Sequence, residues 1–237
     1  MTDDGKTPPR PDGAPSAASG DTSAAPGPAA AHAAGGVRLP PPAAPSAFSG
    51  ADLARVSVFA ALIAVLGLPG ALNVFGNAVP ITLQTLGVML AGAILGSWRA
   101  ALAVTVLIVL VLAGLPLLAG GRGGLGVLAG PSAGFLLGWI PGAAVTGWIV
   151  ERGGRAPGTV RLVAACLAGG VAVIYLIGVP VQAAVTGLPL AQTALLAAAF
   201  LPGDLAKAVL AALIARGTQR AYPGAVPAAG RLRTGGN

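Results

Sequence analysis

Charge is scarce in this sequence. Of its 237 residues, 9% are Asp, Glu, Lys or Arg and 55% are hydrophobic, and the mean hydropathy is +0.82. A soluble domain carries roughly 25% charged residues. There is too little charge here to cover a surface that faces water, so a soluble enzyme or scaffold is excluded and an integral membrane protein is implied. Histidine is nearly absent: His32 is the single one, and it lies in a polar stretch far from any apolar run. Metal centres and Ser-His-Asp chemistry therefore lack raw material, and an intramembrane enzyme lacks a base beside a nucleophile. Cys166 is the single cysteine, so no internal disulfide forms; its place in VAACLAGG reads as packing. No GxxxxGK(S/T) run is present, so the chain itself does not hydrolyse ATP. Aromatics make up 4% and do not interleave with the basic residues. The net charge of +7 and pI near 11.1 thus do not mark a nucleic-acid binder.

What is present is a series of apolar runs. Crossing about 30 Å of hydrocarbon takes about 20 helical residues. Six spans are read at about 53–69, 79–97, 100–117, 131–150, 160–182 and 193–216. Residues 1–50, rich in Pro, Ala, Gly and Ser, read as a disordered cytoplasmic tail, with no apolar core of a signal peptide near the start. Residues 51–217 form the membrane domain and 218–237 a basic cytoplasmic tail. Arg55, Arg99, Arg152, Arg155, Arg161, Arg216, Arg220, Arg231 and Arg233 fall on one side of these spans, and Arg122 alone on the other. By the positive-inside rule both termini are cytoplasmic. Gly92 and Gly96, then Gly134, Gly138 and Gly142, have the spacing of close helix contacts, and Ala60 and Ala64 make a similar small pair.

Two constellations break the apolar pattern. Asp204 and Lys207 lie one turn apart in LPGDLAKAVLAALIA, on one helix face. Charges at that depth cost on the order of 2.5–3.5 kcal/mol on insertion scales and usually face a cavity or each other. The plain alternative is a helix start after Pro202 and Gly203, with Asp204 meeting free N–H groups. Ligand binding is the favoured reading, because a cap needs no lysine one turn deeper. The second constellation is LAGGRGGLGVLAGPSAG. Its GxGxxG match at Gly121–Gly126 is accidental, since no strand precedes it. A glycine-rich loop with one arginine suits a lid over a ligand, Arg122 offering a fork of donors; a bare linker is the alternative. Asn73, Asn77, Thr82 and Gln84 flank the first outward loop, where amides either fix a polar ligand or satisfy irregular backbone. Gln182 and Gln192 read as interfacial.

The stretches VPITLQTLGVMLAGAILG, GLPLLAGGRGGLGVLAGPSAGFLLGW and LPGDLAKAVLAALIA, in this order over about 53–216, resemble the BioY family of biotin-binding S components of energy-coupling factor (ECF) transporters. The signature GLPxxxGGxGG, then GP(S/T)xG(Y/F), then PGDxxK, is long and specific. The resemblance implies an all-α, six-helix membrane fold. It also implies a biotin cavity near the extracytoplasmic surface, under the loops after the first and third helices. Asp204 and Lys207 would line it, with Arg122 as the variable residue of GGxGG. Some members follow GP(S/T) with tyrosine and a ligand-contacting arginine; here Phe135 and Leu136 stand there, and Arg122 is expected to replace the lost cation. Gln84, Phe135, Trp139 and Leu86 are expected to contact or enclose the ligand. The family's alanine pair that docks on the energising module matches Ala60 and Ala64. Expected partners are a transmembrane coupling protein and two ATPase subunits, which would use the ATP; no cofactor is expected in this chain. A stand-alone carrier driven by ions is the competing class. It predicts an internal repeat with paired broken helices, and no convincing repeat is seen.

Overall fold

The computed structural model describes residues 49–69, 79, 81–154 and 157–222. The proline-rich tail, the basic segment from 223 on, Asn73, Asn77, Arg155, Arg231 and Arg233 lie outside these. Among the described residues every regular element is helical, and an isolated β-bridge joins Leu118 and Arg122. In order they are α1 (Gly50–Val65), α2 (Gln84–Leu95), α3 (Ser97–Leu112), a 3-10 turn (Leu125–Ala129), α4 (Ala133–Glu151), α5 (Thr159–Leu167), a π segment (Ala168–Val173), α6 (Ile174–Thr186), α7 (Leu190–Ala198) and α8 (Leu201–Ala221).

Two of these are long and apolar enough to cross a bilayer unaided: α4, and α5–α6 read through its π segment as Thr159–Thr186. The run expected at 193–216 is instead a broken pair, α7 and α8, bent by 53°. Leu201 and Pro202 open α8 where a proline lacks no needed N–H, and Phe200 precedes it as the N-cap. The helix then continues to Ala221, so residues 218–221, expected in a tail, are helical. The run expected at 79–97 is helical only over Gln84–Leu95, because Val79, Ile81 and Thr82 line a cavity. Irregular backbone is tolerated at membrane depth where it does so. Gly96, at φ 83°, turns α2 directly into α3.

Glycine spacing sets the contacts of α4. Gly138 faces the backbone of Ile174, Gly134 faces Val181 and Gly142 faces Ile174; Gly92 of α2 faces Ala143 and Thr146. A Cβ at any of these positions would push the helices apart, so small residues bring them to van der Waals range. The face of α1 that packs inward holds Asp52, Val56, Ala60 and Ile63. Ala60 is therefore inside the bundle, 4% exposed, and not on an outer docking face as the resemblance implied. Ala64 is half-buried, and the outward face carries Ala54, Ser57, Val58 and Ala61.

Opposite the cavity, charges tie helix ends together. Asp52 caps α1 in a box with Ser49 and accepts a 2.7 Å bond from Arg99 Nε. Glu151 Oε1 accepts from Ser97 N–H at 2.8 Å, holding the first turn of α3. Arg99 and Arg152 lie over the rings of Trp98 and Trp148. Both rings are partly exposed, as amphipathic side chains are at a membrane interface.

Candidate functional site

A cavity of about 640 Å3, open solvent at its mouth included, lies among the first turns of α2, α4 and α8 and the start of α6. Three helix N-termini, each carrying a partial positive charge, converge there.

The inner wall is polar. Lys207 Nζ lies 2.9 Å from Asp204 Oδ1, and both side chains are buried. Asp204 Oδ2 accepts a 2.6 Å bond from the Tyr175 hydroxyl. The Thr85 hydroxyl donates to Asp204 Oδ1 at 3.3 Å and accepts from Lys207 at 3.2 Å. The carboxylate's recorded partners are thus side chains of α2, α6 and α8, not the free N–H groups of its own helix start. The acid does sit in the first turn of α8, where the helix dipole favours it. The pair is neutral as a unit. An ammonium has three donors and a carboxylate about four acceptor sites, so each keeps capacity for a ligand. Tyr175, one of two tyrosines in the chain, was not expected here. It follows the π segment, which adds a residue to the turn and rotates what comes after it; such turns recur at functional sites. Thr85 was missed as well, although it directly follows Gln84.

Aromatic rings form one side. Phe135 meets Tyr175 edge-on at 5.8 Å and Phe200 at 6.4 Å. A Cβ on Gly178 would stand 2.5 Å from the Phe135 ring, so glycine there lets the ring lie flat against α6. Trp139 and Leu136 also line the cavity. Leu86 does not: it packs in a separate core with Met89, Leu90 and Ala208.

At the mouth stands Arg122, exposed. Its Nε donates to the Ala119 carbonyl at 3.2 Å and one terminal nitrogen to Ser132 Oγ at 3.3 Å. The loop turns back on itself through the Leu118–Arg122 bridge, with Gly120 and Gly121 at φ 77° and 70°, a region that favours glycine. The guanidinium keeps donors for a ligand. Gln84 is placed differently from the expectation. It lines the cavity, yet its amide nitrogen donates to the carbonyls of Ile63 and Leu117, and its oxygen accepts from Ala119 N–H. It joins the end of α1 to the root of the arginine loop, satisfying irregular backbone. Gln182 is buried rather than interfacial, while Gln192 is exposed.

The sequence profile of the BioY family matches residues 43–224. The chain belongs to the BioY family. It is 48% identical over 191 residues to the biotin transporter BioY of Rhodobacter capsulatus, covering 76% of this chain and 98% of that one. With the probable biotin transporter BioY of Bacillus subtilis it shares 44% identity over 69% of this chain and 88% of that protein. Among solved structures it resembles the S-component for biotin from an ECF-type ABC transporter, with TM-score 0.70 and 27% identity over 73% of this chain and 95% of that chain. The fold is that of an S component, a membrane transport protein and not an enzyme.

Proposed function

We propose that this protein is the substrate-binding component of a biotin uptake transporter and that biotin occupies the cavity of Asp204, Lys207 and Arg122. The observation that carries the reading is the buried acid–lysine pair on a cavity wall, in a chain of this family. Biotin brings a ureido ring with two N–H donors and a carbonyl, an apolar thiophane ring and a carboxylate. Asp204 Oδ2 and the Tyr175 oxygen offer acceptors to ureido N–H groups at the inner wall. Phe135, Phe200 and Trp139 enclose the apolar ring. The carboxylate then lies toward the mouth, met by Arg122, Ser132 and the positive end of α4. The charge count favours this direction: Asp204 and Lys207 cancel, so a bound carboxylate needs one further cation, and Arg122 supplies it. A low-dielectric site demands such balance. Arg122 and Leu136 line the same cavity, consistent with the loop arginine standing in for one missing at Leu136. Gln84 acts here by holding the loop, not by touching the ligand.

In this reading the bundle makes six crossings, with α7 and α8 together as the last. The basic end, with Arg99 and Arg152 beside Trp98 and Trp148, faces the cytoplasm, and the cavity opens outward. Delivery is driven by a coupling protein and two ATPase subunits, docked against the outward face of α1 around Ser57 and Ala61. Ala61→Trp should block biotin uptake while binding persists; unchanged uptake would move the docking face elsewhere. The ligand itself is tested by equilibrium binding of labelled biotin to purified protein in detergent. Desthiobiotin should compete and lipoate should not; absence of saturable binding overturns the proposal.

A further inference from the structure

Trp139 is 7% exposed, lines the cavity, and its indole Nε1 is buried with no hydrogen-bond partner in the structure. Buried N–H groups without partners are rare, since leaving one unmet forfeits its hydration. Here the indole is part of the cavity wall. Ser132, Phe135, Leu136 and Trp139 face that space from α4 at the i, i+3, i+4 and i+7 positions. At 1.5 Å per residue Trp139 lies about 10 Å further along the helix than Ser132. The arginine and Ser132 thus stand at the mouth, and the indole stands two turns in. An acceptor carried by the inner end of a ligand would meet it.

We infer that Trp139 is a specificity residue whose Nε1–H donates to the ureido carbonyl oxygen of the substrate; this rests on the biotin reading given above. At the inner wall Asp204 and Tyr175 present acceptors, which suit ureido N–H groups. The ureido oxygen needs donors, and among the side chains described on the cavity wall Lys207 and Trp139 have donor capacity unspent. A phenylalanine at position 139 would supply the same apolar wall with no donor. A tryptophan therefore adds recognition of a carbonyl that packing alone does not give.

The test compares Trp139→Phe with wild type for three ligands by calorimetric titration or competition. For biotin and desthiobiotin, which share the ureido group, affinity should fall about three- to tenfold, the range of a neutral hydrogen bond. For diaminobiotin, which lacks the carbonyl, the substitution should change nothing. The wild-type protein gives an independent readout. Of its three indole resonances, the one missing in Trp139→Phe should move downfield in 15N–1H spectra when biotin is added. Equal losses for all three ligands would reduce Trp139 to a shape-filling ring. Unchanged affinity for biotin, or a stationary indole resonance, would also overturn the inference while leaving the biotin reading intact. If biotin fails to bind wild type, both fall together.

Discussion

Two acids in this bundle are ion-paired, Asp52 with Arg99 and Arg55 and Asp204 with Lys207, and they do different things. Asp52 reaches Arg99 across 47 positions of sequence, from the first turn of α1 to the first turn of α3. Asp204 reaches Lys207 one turn away on its own helix. The first pair joins elements at the end where tryptophans and arginines gather. The second joins a residue to its neighbour, so the ion pair itself ties nothing together, and it lies on a cavity wall. The same carboxylate also takes Tyr175 of α6 and Thr85 of α2, but charge set deep in an apolar bundle on a cavity wall points to a ligand. Charge at the rim that clips two helices points to stability.

The sharpest way to break this contrast is Asp204→Asn. The amide keeps the shape but offers donors where the substrate needs an acceptor, and it leaves Lys207 uncompensated. Biotin affinity should fall on the order of a hundredfold, a charge-assisted bond being worth roughly 1.5–3 kcal/mol. Titration calorimetry reads the loss, and a normal elution profile shows that folding survives. Arg122→Ala should come next, weakening biotin about tenfold, the low end of that range, because the guanidinium is exposed and screened. Biotinamide, without the carboxylate, should hardly notice the change, and Arg122→Asn combined with Leu136→Arg should recover most of the affinity for biotin. Equal losses for acid and amide would make the arginine a loop-ordering residue.

Gln84→Leu removes three hydrogen bonds to backbone and should lower the melting temperature, each buried group left unmet costing about 1–3 kcal/mol. Biotin affinity should fall less than in Arg122→Ala if the amide only holds the loop. The smallest effect is expected at the rim. The hydrogen bond from Arg99, with help from Ser49, holds the Asp52 carboxyl below its ordinary pKa of 3.8. A carboxyl with a depressed folded pKa adds stability above its unfolded value, and that stability is lost as pH falls through the folded value. Asp52→Asn should therefore melt slightly earlier than wild type at neutral pH, and the gap should close well below pH 3.8. Binding of biotin should not change.

Much of this contrast was legible in the chain. Asp204 and Lys207 stand out because charge inside an apolar run is expensive, and Arg122 because it is the lone cation between the runs expected to face outward. The helical class followed from hydropathy. Local breaks were harder to read. The bend between α7 and α8 and the irregular start of α2 arise where the chain wraps a cavity, and hydropathy averages over such turns. Tyr175 and Thr85 were missed because a π segment sets the phase of one and tertiary packing the use of the other; periodicity reports neither. Ala60 was matched to a docking pair through the family resemblance, although small residues serve inner and outer contacts equally well. Gln84 shows the same ambiguity: a buried amide serves a ligand or the backbone, and only the positions of Ile63, Leu117 and Ala119 decide which.

The account stands most directly on one titration of biotin into three purified proteins: wild type, Asp52→Asn and Asp204→Asn. Saturable one-to-one binding of equal strength in the first two, with a loss on the order of a hundredfold in the third, is the predicted result. Binding by Asp204→Asn as tight as wild type, or no binding by wild type, would contradict it.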